Sequence, residues 1–179
     1  MRRILVICLL AGVAAFGTSI AAAAQIWTLT ETKAERMLQR DATVRLPVAD
    51  RLSLEEELQG EIRRLRALET LAIDAGNDAA WWTYYSATAR YYVALQAVQD
   101  GLGIAGADCT GIGRSAAGGR FQRFDCLVTS DVLSIPQTEV AGLDGDGMPE
   151  LLEGEPTQVG PLLTQVRVRV TGKSRIEYR

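Results

Sequence analysis

No histidine occurs anywhere in the 179 residues. That absence excludes Ser-His and Cys-His nucleophiles, a histidine zinc ligand, and an imidazole acid–base group near neutral pH. Lysine is nearly missing too: only Lys33 and Lys173 accompany the arginines. Positive charge is not in excess, with 19 basic against 22 acidic residues. Nucleic acid rewards clustered positive charge, so it is excluded as the expected partner. Cysteine is scarce, at three residues, and a single long apolar run occurs, near the start.

That run follows Arg2 and Arg3, extends from Ile4 to about Phe16, and leads through small residues to Ala22-Ala23-Ala24. A basic start, an apolar stretch and an A-x-A site describe a signal peptide, residues 1–24, cleaved near Ala24. The competing reading is a retained anchor, because Ile4 to Ala24 is long enough to span a bilayer. Cleavage would remove Cys8 and leave residues 25–179 as one domain without a membrane span, large enough for a genuine core. Its charge would then be 17 basic against 22 acidic residues.

Two cysteines, Cys109 and Cys126, remain. In an exported, oxidising setting an even count points to a disulfide with a single possible connectivity, against free or metal-bound thiols. The stretch between them, with Gly111 and Gly113 followed by Gly118 and Gly119, resembles the start of a dinucleotide fingerprint. No strand–helix unit surrounds it, so a flexible hairpin closed by sulfur is expected instead. Gly172-Lys173-Ser174 is likewise expected to be a turn between strands rather than the end of a phosphate loop.

Periodicity divides the domain into a helical part, 25–101, and a β-rich part, 102–179. Ala34, Met37 and Leu38 form the stripe of a first short helix, with a capping box from Thr32 to Glu35. Ala42 to Leu46 alternates as a strand, ended by Pro47. Leu54, Leu58, Ile62, Leu65, Leu68 and Ala72 mark an amphipathic helix of about five turns that starts at a second box, Ser53 to Glu56. After Asp74–Asn77, Asp78 is expected to cap a third helix, ended near Gln99 by the glycines that follow. Residues 53–100 thus form a helical hairpin. Strands are expected at Phe121–Leu133, Gln165–Thr171 and Arg175–Tyr178, with Ile135–Pro161 a long loop of little regular structure. In the last two strands, burial requires Ile176 and Tyr178 to align with Val166, Val168 and Val170, and an arginine to oppose Glu177. That register needs an odd-length turn.

The fold class follows as α+β, with the N-terminal helices packed on a C-terminal antiparallel sheet of three to five strands carrying one disulfide.

The third helix holds two tryptophans and four tyrosines in two adjacent stripes. Trp82, Tyr85, Ala89 and Tyr92 form one, and Trp81, Tyr84, Thr88 and Tyr91 the other. One stripe suffices for the core against Leu58, Ile62 and Leu65; the rings of the other either pack on the sheet or contact a partner. Trp81, Tyr84 and Tyr91 are the candidate binding face.

Gly142 to Leu151, GLDGDGMPEL, resembles the calcium loop of FG-GAP repeats. The resemblance implies Ca²⁺ ligation by Asp144, Asp146, the Met148 carbonyl and Glu150. Gly142 stands where the family has its first acidic ligand, and the motif occurs once. A solvated acidic turn is the alternative.

Trp27-Thr28 with Ala34-Glu35, the Ala79–Trp82 run AAWW, the Cys-x-Gly-x-Gly start at Cys109 with Phe121, Phe124 and Cys126, and Val170–Ser174 resemble secreted proteins of high-GC Gram-positive (actinobacterial) bacteria. No activity is established for that group, so the resemblance implies export and no mechanism. A secreted or cell-envelope non-enzymatic domain that binds a protein or glycan is the expected function. An exported carboxylate-dependent hydrolase and a calcium-stabilised module are the alternatives.

Overall fold

The computed structural model describes residues 27–172 and 175–179. The expected signal peptide, and Lys173 and Ser174, lie outside the described residues. Three helices come first, α1 (Glu31–Asp41), α2 (Val48–Ala75) and α3 (Asp78–Asp100), with a two-residue strand β1 (Thr43–Val44) after α1. Six strands follow: β2 (Leu102–Ile112), β3 (Arg123–Ser130), β4 (Leu133–Leu143), β5 (Pro149–Val159), β6 (Leu163–Gly172) and β7 (Arg175–Tyr178). The chain is α+β, with helices packed on antiparallel sheet and a Cys109–Cys126 disulfide.

Five strands form one antiparallel sheet in the order β1-β2-β3-β6-β7, and β4 pairs with β5 in a separate ribbon. The five-stranded sheet is therefore a meander with two insertions. The α2–α3 hairpin separates β1 from β2, and the ribbon separates β3 from β6. Val44 pairs with Leu102, Ile104 with Ser130, and Thr129 with Leu163. Both insertions thus leave the sheet at the same end, which is why they pack on one another.

Two cores result. Ala34, Met37 and Leu38 of α1 bury against the inward residues of the sheet, including Phe124, Cys126, Val128, Val168 and Val170. Strand periodicity accounts for this face, because alternate side chains share one side. Leu58, Ile62 and Leu65 of α2 pack with Ala87, Tyr91, Ala94 and Val98 of α3 on Ile135 of the ribbon and Leu102.

Ser130 sits where the ribbon departs and is buried, yet its hydroxyl is satisfied. It donates to the Asp131 carbonyl at 2.9 Å and accepts from Leu162 N at 2.8 Å.

A clasp closes the edge of the sheet. Beyond β1, the outer N–H groups of β2 have no strand beside them. Glu35 Oε1 accepts from Cys109 N at 3.1 Å and Glu31 Oε1 from Gly111 N at 2.8 Å. Four helical residues rise about 6 Å and two strand residues about 6.8 Å, so carboxylates at i, i+4 match amides at i, i+2. Leu29 adds a two-way bridge to Phe121 at 2.9 and 2.7 Å. The Phe121 ring lies where a Gly111 side chain would be, which is the reason for glycine there.

Several boundaries differ from expectation. Thr30, not Thr32, caps α1, accepting from Lys33 N at 3.3 Å. Glu35 is drawn to Cys109 instead of back to a cap. α2 begins at Val48 behind Pro47, with no side-chain cap, rather than at Ser53. Val48 and Leu52 stay exposed in its first turns, so no burial period announces them. Asn77 rather than Asp78 caps α3, through Ala80 N at 3.0 Å. Gly76, at φ 66°, closes α2 in the left-handed conformation that suits glycine.

The expected loop at Ile135–Pro161 is the β4–β5 ribbon. Pro136, Pro149 and Pro156 are tolerated because each strand of a two-stranded ribbon keeps one side unpaired. The β6–β7 register is the one burial demanded. Val168 faces Tyr178, Val170 faces Ile176 and Arg169 faces Glu177. Gly172 pairs with Arg175, and the odd parity arises from an irregularity between Val170 and Gly172.

Candidate functional site

Helix α3 shows one face to the core and another to solvent. Tyr84, Ala87, Tyr91, Ala94 and Val98 are buried. The inward assignment is fixed by polar contacts with the ribbon. The Tyr84 hydroxyl donates to the Pro149 carbonyl at 2.6 Å, and the Tyr91 hydroxyl lies 3.3 Å from Thr138 Oγ1. Arg64 of α2 reaches the same Thr138, 2.8 Å from its hydroxyl and 3.1 Å from its carbonyl. Thr88, also buried, is bonded to Glu69 Oε1 and to the Tyr84 carbonyl.

The expected binding face of Trp81, Tyr84 and Tyr91 is therefore corrected. Tyr84 and Tyr91 are core residues, and Trp81 is half-buried beside Ala72, Tyr84 and Met148. The other stripe faces outward: Trp82 is 57% exposed, Tyr85 47% and Tyr92 42%, with Val93 at 70%. A sequence signal for this was present. The stripe of Tyr84 and Tyr91 continues through Ala94 and Val98, whereas the stripe of Trp82 and Tyr92 continues into Gln96.

The outer rings are mutually braced. Trp81 and Trp82 centroids lie 4.7 Å apart at 61°, Trp81 and Tyr85 stack at 5.4 Å and 26°, and Trp82 stands on Tyr85 at 5.8 Å and 87°. Arg66 of α2 holds its guanidinium 5.5 Å from the Tyr92 centroid, a cation–π placement the sequence did not announce. On the other flank a groove of about 480 Å³ separates α3 from the ribbon. Ala89, Val93, Leu133, Pro136 and Pro156 line it, and Arg90 pairs with Glu153 at 2.7 Å within it.

The acidic loop serves as a turn. Asp144 Oδ1 accepts from Asp146 N at 2.9 Å and Met148 N at 2.8 Å. The Met148 carbonyl accepts from Asp144 N at 2.7 Å. These bonds fix the turn, and the Met148 side chain packs on Tyr84 and Ala72. Asn77 links the loop to the start of α3, 3.4 Å from Asp146 Oδ2. Glu150 is exposed. Among the described residues no three carboxylates converge. Two of the surface grooves hold one carboxylate each, Glu153 and Glu177.

Burial pushes the Tyr84 hydroxyl above the ordinary tyrosine pKa, with the nearby Asp144 charge adding to the effect. The folded state thus favours neutral Tyr84, and this contribution is intact below about pH 10. As pH rises through that value the unfolded chain loses the proton first, so stability falls. Tyr84→Phe should lower stability by about 1 kcal/mol at pH 7 through the lost bond to Pro149. Its unfolding midpoint should also decline less than the parent's between pH 9 and 11; equal slopes would remove Tyr84 as the titrating group.

Cys109 and Cys126 are direct cross-strand partners, with Cα atoms 4.1 Å apart. No described helix is long and apolar enough to cross a membrane. No protein family, curated protein or solved structure matches the chain.

Proposed function

We propose that the chain is an exported, non-enzymatic binding domain that engages a protein partner through the outer face of α3. The exposed stripe of Trp82, Tyr85 and Tyr92, reinforced by Arg66, carries this reading. Trp, Tyr and Arg are the side chains that dominate interface energetics. Trp82, Tyr85, Ala89, Tyr92 and Gln96 follow at spacings of three and four, the pattern of a helix-packing seam. A helix of the partner protein is accordingly the occupant. The near-perpendicular Trp82 and Tyr85 rings form a ridge instead of the flat platform a sugar ring would stack on. The cysteine bridge and the resemblance to actinobacterial secreted proteins support export.

The test is site-specific photo-crosslinking in the native host. A photoreactive side chain at position 82 should yield one discrete protein adduct, and the same group at exposed Glu57 none. The purified partner should bind the Trp82→Ala/Tyr85→Ala variant at least 30-fold more weakly, the effect of losing one strong hot spot. Equal adducts from both positions, or a polysaccharide adduct, would overturn the proposal.

A further inference from the structure

We infer a second, independent site: the outer face of the five-stranded sheet binds the phosphate groups of a linear polyanion. Strand alternation sends Phe124, Cys126, Val168 and Val170 inward to α1, so their neighbours in sequence face away. Arg123 of β3 lies directly opposite Arg169 of β6, and Arg169 opposite Glu177 of β7. One level along, Asp125 opposes Arg167, whose backbone exchanges bonds of 3.0 and 3.1 Å with Arg179. The four arginines are exposed and line a surface depression of about 530 Å³ together with Ile112 and Glu177.

Four arginines on this face stand beside three acidic side chains, Asp108, Asp125 and Glu177, and the positive charge is gathered at the β3–β6–β7 end. Arg167 has Asp125 at 3.3 Å. Among the described residues, Arg123 and Arg169 enter no ion pair. Arg123 and Arg169 are like charges placed directly across a strand pair. Glu177 stands on the far side of Arg169 and Arg123 is left without an acidic partner, so an added anion is favoured between them. The charge gathered at this end is also opposite in sign to that of the chain as a whole, whose net charge is −3.

Guanidinium groups hold phosphate oxygens in bidentate fashion and keep their charge at every relevant pH. Exposed arginines hold a single phosphate weakly. A lattice of them, spaced by roughly 5 Å between strands and 7 Å along a strand, engages several groups of one polymer at once. A polymer is therefore favoured over a free ion.

Binding of linear polyphosphate to the purified domain, titrated at 50 and 200 mM salt, tests the site. Inorganic phosphate and phosphatidylglycerol vesicles are titrated in parallel. Polyphosphate should bind at low salt and far more tightly than inorganic phosphate. Arg123→Gln/Arg169→Gln should weaken it at least tenfold and flatten the salt dependence by roughly one unit per arginine. Arg40→Gln/Arg63→Gln, which removes equal charge elsewhere, should leave it unchanged. The first variant should unfold at the same midpoint as the parent, which separates lost binding from lost folding. Both side chains are exposed, and the repulsion lost between them offsets the attraction lost to Glu177. The inference is overturned if polyphosphate fails to bind at 50 mM salt, if both variants weaken it equally, or if only the vesicles bind.

Discussion

Replacing Cys109 and Cys126 together by alanine should lower the unfolding free energy by about 3 kcal/mol, the chain-entropy value for a loop of this length. Both sulfurs are buried in the α1–sheet core, so the small apolar replacement avoids stranding a polar group there. For a domain of this size the thermal midpoint should fall by roughly 6–12 °C. The bridge ties β2 to β3 at paired positions, beyond which the chain makes the exposed excursion from Gly113 to Gly119. Its main effect is thus on the unfolded chain, whose freedom across that excursion is removed. Urea titration of the oxidised parent and the variant measures the difference. A loss under 1 kcal/mol would mean that strand pairing alone defines the hairpin.

Glu31→Ala/Glu35→Ala should have an effect of similar size. Each carboxylate accepts one backbone N–H of β2, and hydrogen bonds to charged groups contribute about 1.5–3 kcal/mol apiece. Partial exposure of both bonds places the pair near the lower end, about 3 kcal/mol in total. Glu31→Gln/Glu35→Gln keeps the acceptors and should lose less than half of that. Hydrogen exchange gives the site-specific readout: the amides of Cys109 and Gly111 should lose protection in the alanine variant, while that of Val128, inside the sheet core, changes only with global stability. If the Cys109 and Gly111 amides remain protected, another group covers the edge of β2. An edge left bare would also present unpaired N–H groups to other chains, so the alanine variant should aggregate more readily.

What the sequence disclosed follows physical lines. Leu58, Ile62 and Leu65 announce α2 because one face is buried over many turns. Phe124, Cys126 and Val128 announce β3 for the same reason, and the valines of β6 dictate the pairing of β7. The ribbon was hidden because little of it is buried, apolar Val140, Leu143 and Leu152 being exposed, and Pro136, Pro149 and Pro156 interrupt its alternation. That omission propagated. Thr138 and Pro149 of the ribbon meet the inward hydroxyls of Tyr84 and Tyr91. With the ribbon unseen, the only sign separating these rings from Trp82 and Tyr92 was the continuation of their stripe into Ala94 and Val98. The clasp was hidden for a different reason, since Glu31 and Glu35 look like ordinary surface carboxylates until β2 is placed beside them. The arginine face had its alternation in view, but the Arg123–Arg169 pairing needed the order of strands.

The insertion of the α2–α3 hairpin between β1 and β2 also bears on how the chain reaches its native state. Thr43 Oγ1 bonds the Asp100 carbonyl across 57 residues, and Val44 pairs with Leu102 at the same junction. Closing so long a loop as free chain is entropically unfavourable and slows assembly. Helices joined by a short connection form from local contacts, and once α2 and α3 lie side by side their outer ends bring Pro47 and Gly101 toward each other. The hairpin then shortens the effective loop before the first strand pair forms. The helical insertion is in this sense the closing device of the sheet. Variants that weaken α2–α3 packing at Leu58 or Leu65 act on β1–β2 pairing through the closed loop as well as through the core they share with Leu102.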